Sequence, residues 1–361
     1  MRRTVNYIFV LLLALLVLSS CATVQTEEYP ELSGTVVAVS KYGNAATSIT
    51  HEEIAAAGYE VGDIVLITSG DYSASAPLGT SYSDVDRSSL VVVDDGSFIE
   101  IAINYGDFSS ESGIAEGDVV TISMADKGGY ADEYMIRHLV RTDNRDDYSS
   151  DEVFANFREV TAGNIKAGRL YRSCSPVRGD ARAVYADTLL GKAGIKTVIN
   201  LADSEESMME GLAGAPNYKA LVDGSHVIAL NMGVDFFSED FTEKLYEGLK
   251  FMLANPSPYL IHCNEGKDRA GMVTATLEAI CGATMDEIVE DYMTSYENYY
   301  GTEKGTEQYD AIAQIIIDFF VDMNGRPFPF DSVSLVARNY LINTVGLTES
   351  EVDSLVSILT E

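Results

Sequence analysis

His262-Cys263-Asn264-Glu265-Gly266-Lys267-Asp268-Arg269-Ala270-Gly271 follows the apolar run Tyr259-Leu260-Ile261 and leads into a helix-patterned segment. Five residues separate Cys263 from Arg269. That spacing lets a loop turn its backbone N–H groups inward, and such a nest at a helix N-terminus binds a phosphate dianion. The same field favours the thiolate of Cys263, which makes it a nucleophile. Arg269 would close the ring as a bidentate fork on two phosphate oxygens, which a lysine cannot reproduce. The bland reading is a buried structural cysteine before a polar helix cap. The preceding His262, interior Gly266, Lys267-Asp268 pair and Gly271 weigh against it.

The stretch resembles the phosphate loop of the cysteine-dependent protein tyrosine phosphatases, in the bacterial branch that reads HC-x-x-GKDR-x-G. Asn156-Phe157-Arg158 with Gly168-Arg169-Leu170-Tyr171-Arg172-Ser173 is similar to that branch's opening motif. Gly194-Ile195-Lys196-Thr197-Val198-Ile199-Asn200-Leu201 looks like its first core strand, and Asp291-Tyr292-Met293-Thr294-Ser295 like its post-loop helix. The resemblance implies Cys263 as nucleophile, Arg269 as phosphate clamp and Asp268 as general acid. Asn264, Glu265, Gly266, Lys267, Ala270 and Gly271 would line the phosphate, with His262 and Arg172 in support. Asp235, in Gly233-Val234-Asp235-Phe236-Phe237, is the alternative acid. No cofactor or metal is expected. Most relatives carry Ser or Thr after the loop arginine, where this chain has Ala270. Phosphotyrosine or a small phosphate ester is the expected substrate. A phosphoinositide or inositol phosphate is one alternative, and a non-catalytic surface binding protein is the other.

The start of the chain sets the compartment. Arg2 and Arg3 precede an apolar run from Tyr7 to Leu18, too short to span a bilayer comfortably and suited to a secretory leader. Leu18-Ser19-Ser20-Cys21 resembles a bacterial lipoprotein cleavage box, which implies an exported protein anchored by lipid at Cys21 to a bacterial membrane. Cys174, Cys263 and Cys281 then remain, an odd set that cannot all pair. Cys281 reads as core, and Cys174 as either an inert thiol or a resolving partner of Cys263.

With 24 Lys plus Arg against 56 Asp plus Glu, the formal charge is −32, and loss of Arg2 and Arg3 makes it more negative. This argues against nucleic acid and anionic membrane surfaces as direct partners. A phosphate ester approaches against that field, so the local nest must dominate.

The fold expected is multidomain: a small all-β barrel followed by a layered α/β phosphatase domain. Residues 1–20 read as leader, 21–32 as tether, 33–126 as barrel, 127–150 as linker and 151–361 as the α/β domain. In the first half, β-branched runs at 35–39, 63–67, 90–93, 98–103 and 118–122 are bounded by Gly, Asp or Ser. Lys41-Tyr42-Gly43-Asn44, Thr47-Ser48-Ile49, Ser81-Tyr82-Ser83-Asp84-Val85 and the segment from Ile99 to Gly106 resemble the C-terminal barrel of S-adenosylmethionine hydroxide adenosyltransferases. That family's larger N-terminal domain has no counterpart here, so its activity does not carry over. A nucleoside-like ligand near Asn44 and Tyr82, or a protein partner, is what the barrel would hold. In the second half, strand patterns at 196–201, 226–231 and 258–262 alternate with helical patterns at 185–193, 241–254, 271–280, 285–300 and 306–323. Two further helices at 332–340 and 349–359 close the chain.

Overall fold

The computed structural model describes residues 29–361. The leader, the cleavage box and Cys21 lie outside the described residues. The chain forms two compact units that part between Tyr134 and Met135.

The first unit is a closed seven-stranded barrel. Its strands are β1 (Leu32–Val39), β2 (Ala45–Thr50), β3 (Ile64–Ser69), β4 (Tyr72–Gly79), β5 (Leu90–Asp94), β6 (Phe98–Ile103) and β7 (Val119–Asp126). Two short helices, α1 (His51–Ala56) and α2 (Phe108–Ser112), interrupt them. The order around the barrel is β1-β2-β6-β5-β4-β3-β7, with β7 pairing back to β1. Only the β4–β5 pairing is parallel. Side chains alternate in and out along each strand. Val65 and Ile67, Ile99 and Ile101, and Val120 and Ile122 therefore share one interior cluster. Sequence patterning finds five of these strands. It misses β2 and β4, because Ala45-Ala46-Thr47-Ser48 and Ser73-Ala74-Ser75-Ala76-Pro77 lack the bulky branched residues that mark a strand.

A helix, α3 (Ala131–Arg137), follows the barrel. The second unit continues with α4 (Asp151–Phe154), β8 (Arg158–Glu159), β9 (Leu170–Ser173), α5 (Ala183–Ala193), β10 (Thr197–Asn200), α6 (Glu205–Gly211) and α7 (Pro216–Asp223). Then come β11 (Val227–Ala229), α8 (Glu239–Ala254), β12 (Tyr259–His262), α9 (Asp268–Ile280) and α10 (Met285–Tyr300). The helices α11 (Glu307–Asn324), α12 (Val333–Asn343) and α13 (Glu349–Thr360) end it. The sheet order is β11-β10-β12-β9-β8, parallel except for the β8–β9 edge. Neighbouring residues face opposite layers. Ile199 and Ile261 pack with Leu245, Ile288, Ile316 and Leu355 of the larger helical layer. Val198 and Leu260 pack with Leu189 and Tyr218 of α5 and α7. Full burial of each such side chain is worth about 1.5–3 kcal/mol. The central position of β12 puts the segment after His262 at the middle of the sheet's C-terminal edge, where parallel α/β sheets place their sites.

The segment 127–150, expected as a polar connection, is structured and ordered by specific contacts. Ile136 and Leu139 pack on the larger core cluster of the second unit. Residues 142–148 are tied down by Arg182, whose Nη2 donates to the Thr142 carbonyl and the Tyr148 hydroxyl.

Candidate active site

Strand β12 is fully buried, and the chain leaves it at Cys263, turns through residues 264–267 and enters α9 at Asp268. The loop conformation is imposed from outside by hydrogen bonds to its carbonyls. The Asn264 carbonyl accepts from the Ser175 N–H at 3.1 Å. The Glu265 carbonyl accepts from Asn156 Nδ2 at 3.1 Å and the Tyr299 hydroxyl at 2.7 Å. The Gly266 carbonyl accepts from Arg172 Nη2 at 2.8 Å and Nε at 3.2 Å, and Arg172 Nη2 also reaches the Lys267 carbonyl at 3.0 Å. With the carbonyls drawn outward, the peptide N–H groups face the other way, into a cradle over Cys263. The N-terminus of α9 adds its unsatisfied N–H groups and dipole to the same space. A phosphate dianion suits this field, and Cys263 is only 3% exposed.

Two glycines are required by this geometry. Gly266 has φ +69°, and a Cβ there would stand 2.3 Å from the Ser173 carbonyl group. A Cβ on Gly271 would stand 2.9 Å from Arg172 Nη2 and 3.0 Å from the Tyr292 ring, blocking the arginine's path to the loop.

The wall behind the loop assembles from segments far apart in sequence. Arg172 is fully buried and its Nη1 meets Asp291 Oδ2 at 2.5 Å. Arg158 Nε meets Asp291 Oδ1 at 2.8 Å, and its Nη1 donates to Asn156 Oδ1 at 2.7 Å. Burial opposes ionisation of Asp291, but Arg158 and Arg172 together hold its pKa well below the usual carboxylate range. Arg172 is therefore a scaffold of the loop and does not reach a substrate. Glu278, in the last turn of α9, is fully buried beside this network, and burial together with the neighbouring Asp291 raises its pKa.

His262 is also fully buried. Its Nε2 lies 3.0 Å from the Tyr218 hydroxyl, which is held in turn by Asn200 Nδ2 at 3.2 Å. Burial pushes its pKa down to about 4, against the pull of Asp203, so the ring is neutral at neutral pH. This fits a fixed hydrogen-bonding strut.

Arg269 donates from Nη1 to the Met232 carbonyl at 2.8 Å, which sets its guanidinium against the loop after β11. That leaves Nε and Nη2, which have the spacing of a bidentate fork. Asp268 opens α9 with half of its side-chain surface exposed. The protein atoms around its recess desolvate the carboxyl and raise its pKa. Lys267 opposes that shift and Glu265 adds to it. Asp235 is exposed on the loop that carries Met232, and its carbonyl accepts from the Ser238 hydroxyl at 2.8 Å. Lys267 is occupied: its Nζ lies 4.9 Å and 5.3 Å from the Tyr296 and Tyr300 ring centroids, 3.6 Å from Glu265 and 3.8 Å from Asp268. Ala270 is fully buried, and the nearest downstream hydroxyl, on Thr274, is turned to the Ala270 carbonyl at 2.7 Å.

Cys174 and Cys281 are buried and free. Burial pushes the Cys281 thiol up to about 12 and the Cys174 thiol higher still, so both stay protonated. Sequence reasoning did not find Tyr218, Tyr299, Ser175 or Arg141, all of which grip the loop or its flanking histidine. Their only signal is contact across the fold, which no local pattern carries. Among the described residues, no group of three or more His, Cys, Asp or Glu is placed to hold a metal.

In the barrel, the residues quoted for the second resemblance come together. Tyr42, Asn44, Ser81, Tyr82, Asn104 and Tyr105 line a groove of about 590 Å³, within the usual range of small-ligand sites. Tyr82 donates to Glu100 Oε2 at 2.5 Å.

Comparison with known proteins gives two family matches. Residues 152–361 match the tyrosine phosphatase family model, and residues 34–121 match the SAM hydroxide adenosyltransferase C-terminal domain. No curated protein matches. Among solved structures, an uncharacterized conserved protein from Thermotoga maritima is 31% identical over 26% of this chain and 36% of its own, with a TM-score of 0.25. The chain thus spans about a third of that protein's length. The core catalytic domain of the PP-IP phosphatase SIW14 from S. cerevisiae is 20% identical over 47% of this chain and 93% of its own, with a TM-score of 0.29. TpbA of P. aeruginosa is 17% identical over 42% and 88%, with a TM-score of 0.24.

Proposed function

The chain belongs to the tyrosine phosphatase family, and from that footing we propose that it hydrolyses phosphate monoesters, phosphotyrosine foremost, through a cysteinyl-phosphate intermediate. The observation that carries this reading is the loop whose carbonyls are all held outward, over a recessed Cys263 and beside the free fork of Arg269. The Cys263 thiolate attacks phosphorus, an S–P bond forms and the P–O bond to the alcohol breaks. Asp268 gives its proton to the leaving oxygen. Burial shifts its pKa upward, the direction a general acid requires. Water then attacks phosphorus, the Asp268 carboxylate takes its proton, and the thiolate leaves as inorganic phosphate is released.

Two features favour a single phosphate on a long aryl group. Cys263 is recessed, so a short seryl phosphate reaches it less well. Lys267 is engaged by two tyrosines and two carboxylates, which leaves Arg269 as the cation facing the cradle. A polyphosphorylated inositol needs more uncommitted positive charge than that. The leader and the Cys21 box support export and lipid anchoring. The barrel groove supports a second role beside catalysis, the holding of a nucleoside-like ligand between Tyr42, Tyr82 and Tyr105.

A substrate panel tests the reading. Phosphotyrosyl peptides should exceed phosphoinositide headgroups and inositol polyphosphates in kcat/KM. The reverse ranking overturns the substrate, and absence of turnover on every ester overturns the activity. Calorimetric titration with adenosine tests the groove, where loss of binding in Tyr82→Ala is expected.

A further inference from the structure

An acidic residue in a phosphate cradle is a liability. Glu265 stands between Asn264 and Gly266, and an uncompensated carboxylate there would repel the dianion it helps to surround. Its carboxylate is met from outside the loop: Arg141 Nη2 lies 2.9 Å from Oε1, while Lys267 stands farther off at 3.6 Å from Oε2. The Arg141 guanidinium also lies 4.8 Å from the Tyr299 ring centroid. The hydroxyl of that same tyrosine donates to the Glu265 carbonyl. Arg141 therefore holds one loop residue twice, by its carboxylate directly and by its backbone through Tyr299. Its Nη1 is buried without an oxygen acceptor, consistent with a guanidinium committed to the ring face.

The placement of Arg141 is itself built. The carbonyl of the next residue, Thr142, accepts from Arg182 Nη2 at 2.7 Å and from the Tyr148 hydroxyl at 2.7 Å. Asp143 pairs with Arg182 Nη1 at 2.7 Å. Arg182 is nearly fully buried. Arg141, Thr142, Asp143 and Tyr148 precede residue 152, where the match to the tyrosine phosphatase family begins, and Arg182 lies within it.

We infer that Arg141 is a positioning residue of the phosphate loop, which cancels the charge of Glu265 and fixes its orientation so that phosphate esters bind. The inference rests on the phosphatase reading for its kinetic arm alone.

The test is a double-mutant cycle on the full chain. With an aryl phosphate, Arg141→Ala should raise KM and the inhibition constant of inorganic phosphate roughly tenfold, the scale of a partly exposed charge pair, with kcat within about threefold. Arg141→Lys should recover part of that loss. In a Glu265→Gln background, adding Arg141→Ala should cost clearly less phosphate affinity than it does in the native background, because no carboxylate remains to cancel and only the contact through Tyr299 is lost. A tenfold loss that persists in that background overturns the inference, as does unchanged affinity in Arg141→Ala. If Arg141→Ala does not fold, Glu265→Gln alone decides: it should tighten inorganic phosphate, and equal or weaker binding overturns the inference. Calorimetry of inorganic phosphate in Cys263→Ser versions of these variants reads the loop without turnover. Failure of the proposed reaction and failure of the Arg141 role are thereby distinguished.

Discussion

Replacing Arg172 by methionine should cost the second unit much of its stability. The arginine is fully buried and serves three acceptors: the Gly266 and Lys267 carbonyls, and the Asp291 carboxylate at 2.5 Å. Methionine keeps the apolar stem and removes all the donors. Removing one partner of a buried ion pair costs about 3–5 kcal/mol, since the other charge stays buried. Asp291 keeps Arg158, which places the expected loss near the lower end, at about 3 kcal/mol, with about 1 kcal/mol more for the orphaned carbonyls. Against a total of about 5–15 kcal/mol this is a large share. Urea unfolding followed by far-ultraviolet circular dichroism reads it, with the barrel's own transition as internal control. Arg172→Lys should fall between, because one ammonium cannot span both carbonyls and the carboxylate. Whatever fraction remains folded should bind inorganic phosphate weakly, since the carbonyls are free to turn inward. A loss below about 1 kcal/mol with phosphate affinity intact would refute the idea that this side chain shapes the loop.

Other consequences follow from the same geometry. Asp268→Asn should slow esters with poor leaving groups far more than activated ones. A carboxyl with a raised pKa keeps its proton to higher pH, so turnover of poor leaving groups should be full below that pKa and fall as pH rises through it. The variant should lack this limb, and its appearance in Asp235→Asn instead would exchange the two roles. Because Thr274 donates its hydroxyl to helix carbonyls, it does not offer it to the departing thiolate. Rapid mixing should therefore show a burst of alcohol product, and Ala270→Ser should speed the steady state roughly ten- to hundredfold, the value of a hydrogen bond to a charged group. Cys21→Ser should release the protein from the membrane fraction or leave it unprocessed, and an unchanged membrane-bound mature form would count against the anchor.

The elements legible in the sequence were those whose signals are local. The helix expected at 285–300 is α10 residue for residue, because Thr284 and Glu287 form a capping box at its start and Gly301 ends it at φ +66°. The loop was legible for the same reason: an apolar run, a short turn with Gly266 and a helix stand in one stretch. Strands β2 and β4 were not, since small residues and Pro77 sit in the barrel by virtue of their neighbours. Neither were β8 and β9, which are too short for a pattern, and β9 has its second partner, β12, far along the chain. The motifs around Asn156, Arg172 and Asp291 were visible only as resemblance. Their common purpose, to grip one loop from behind, became readable once the fold brought them together. Arg141 and Tyr218 belong to no motif, and their partners across the fold give them meaning.

The central claim is that Cys263 carries the phosphoryl group. Enzyme mixed with an aryl phosphate and quenched in acid should show one added phosphoryl group by intact mass, located on the peptide that contains Cys263. Cys263→Ser should show neither the adduct nor turnover while still binding inorganic phosphate. Hydrolysis that persists in Cys263→Ser, or a phosphoryl group found on another residue, would contradict the account.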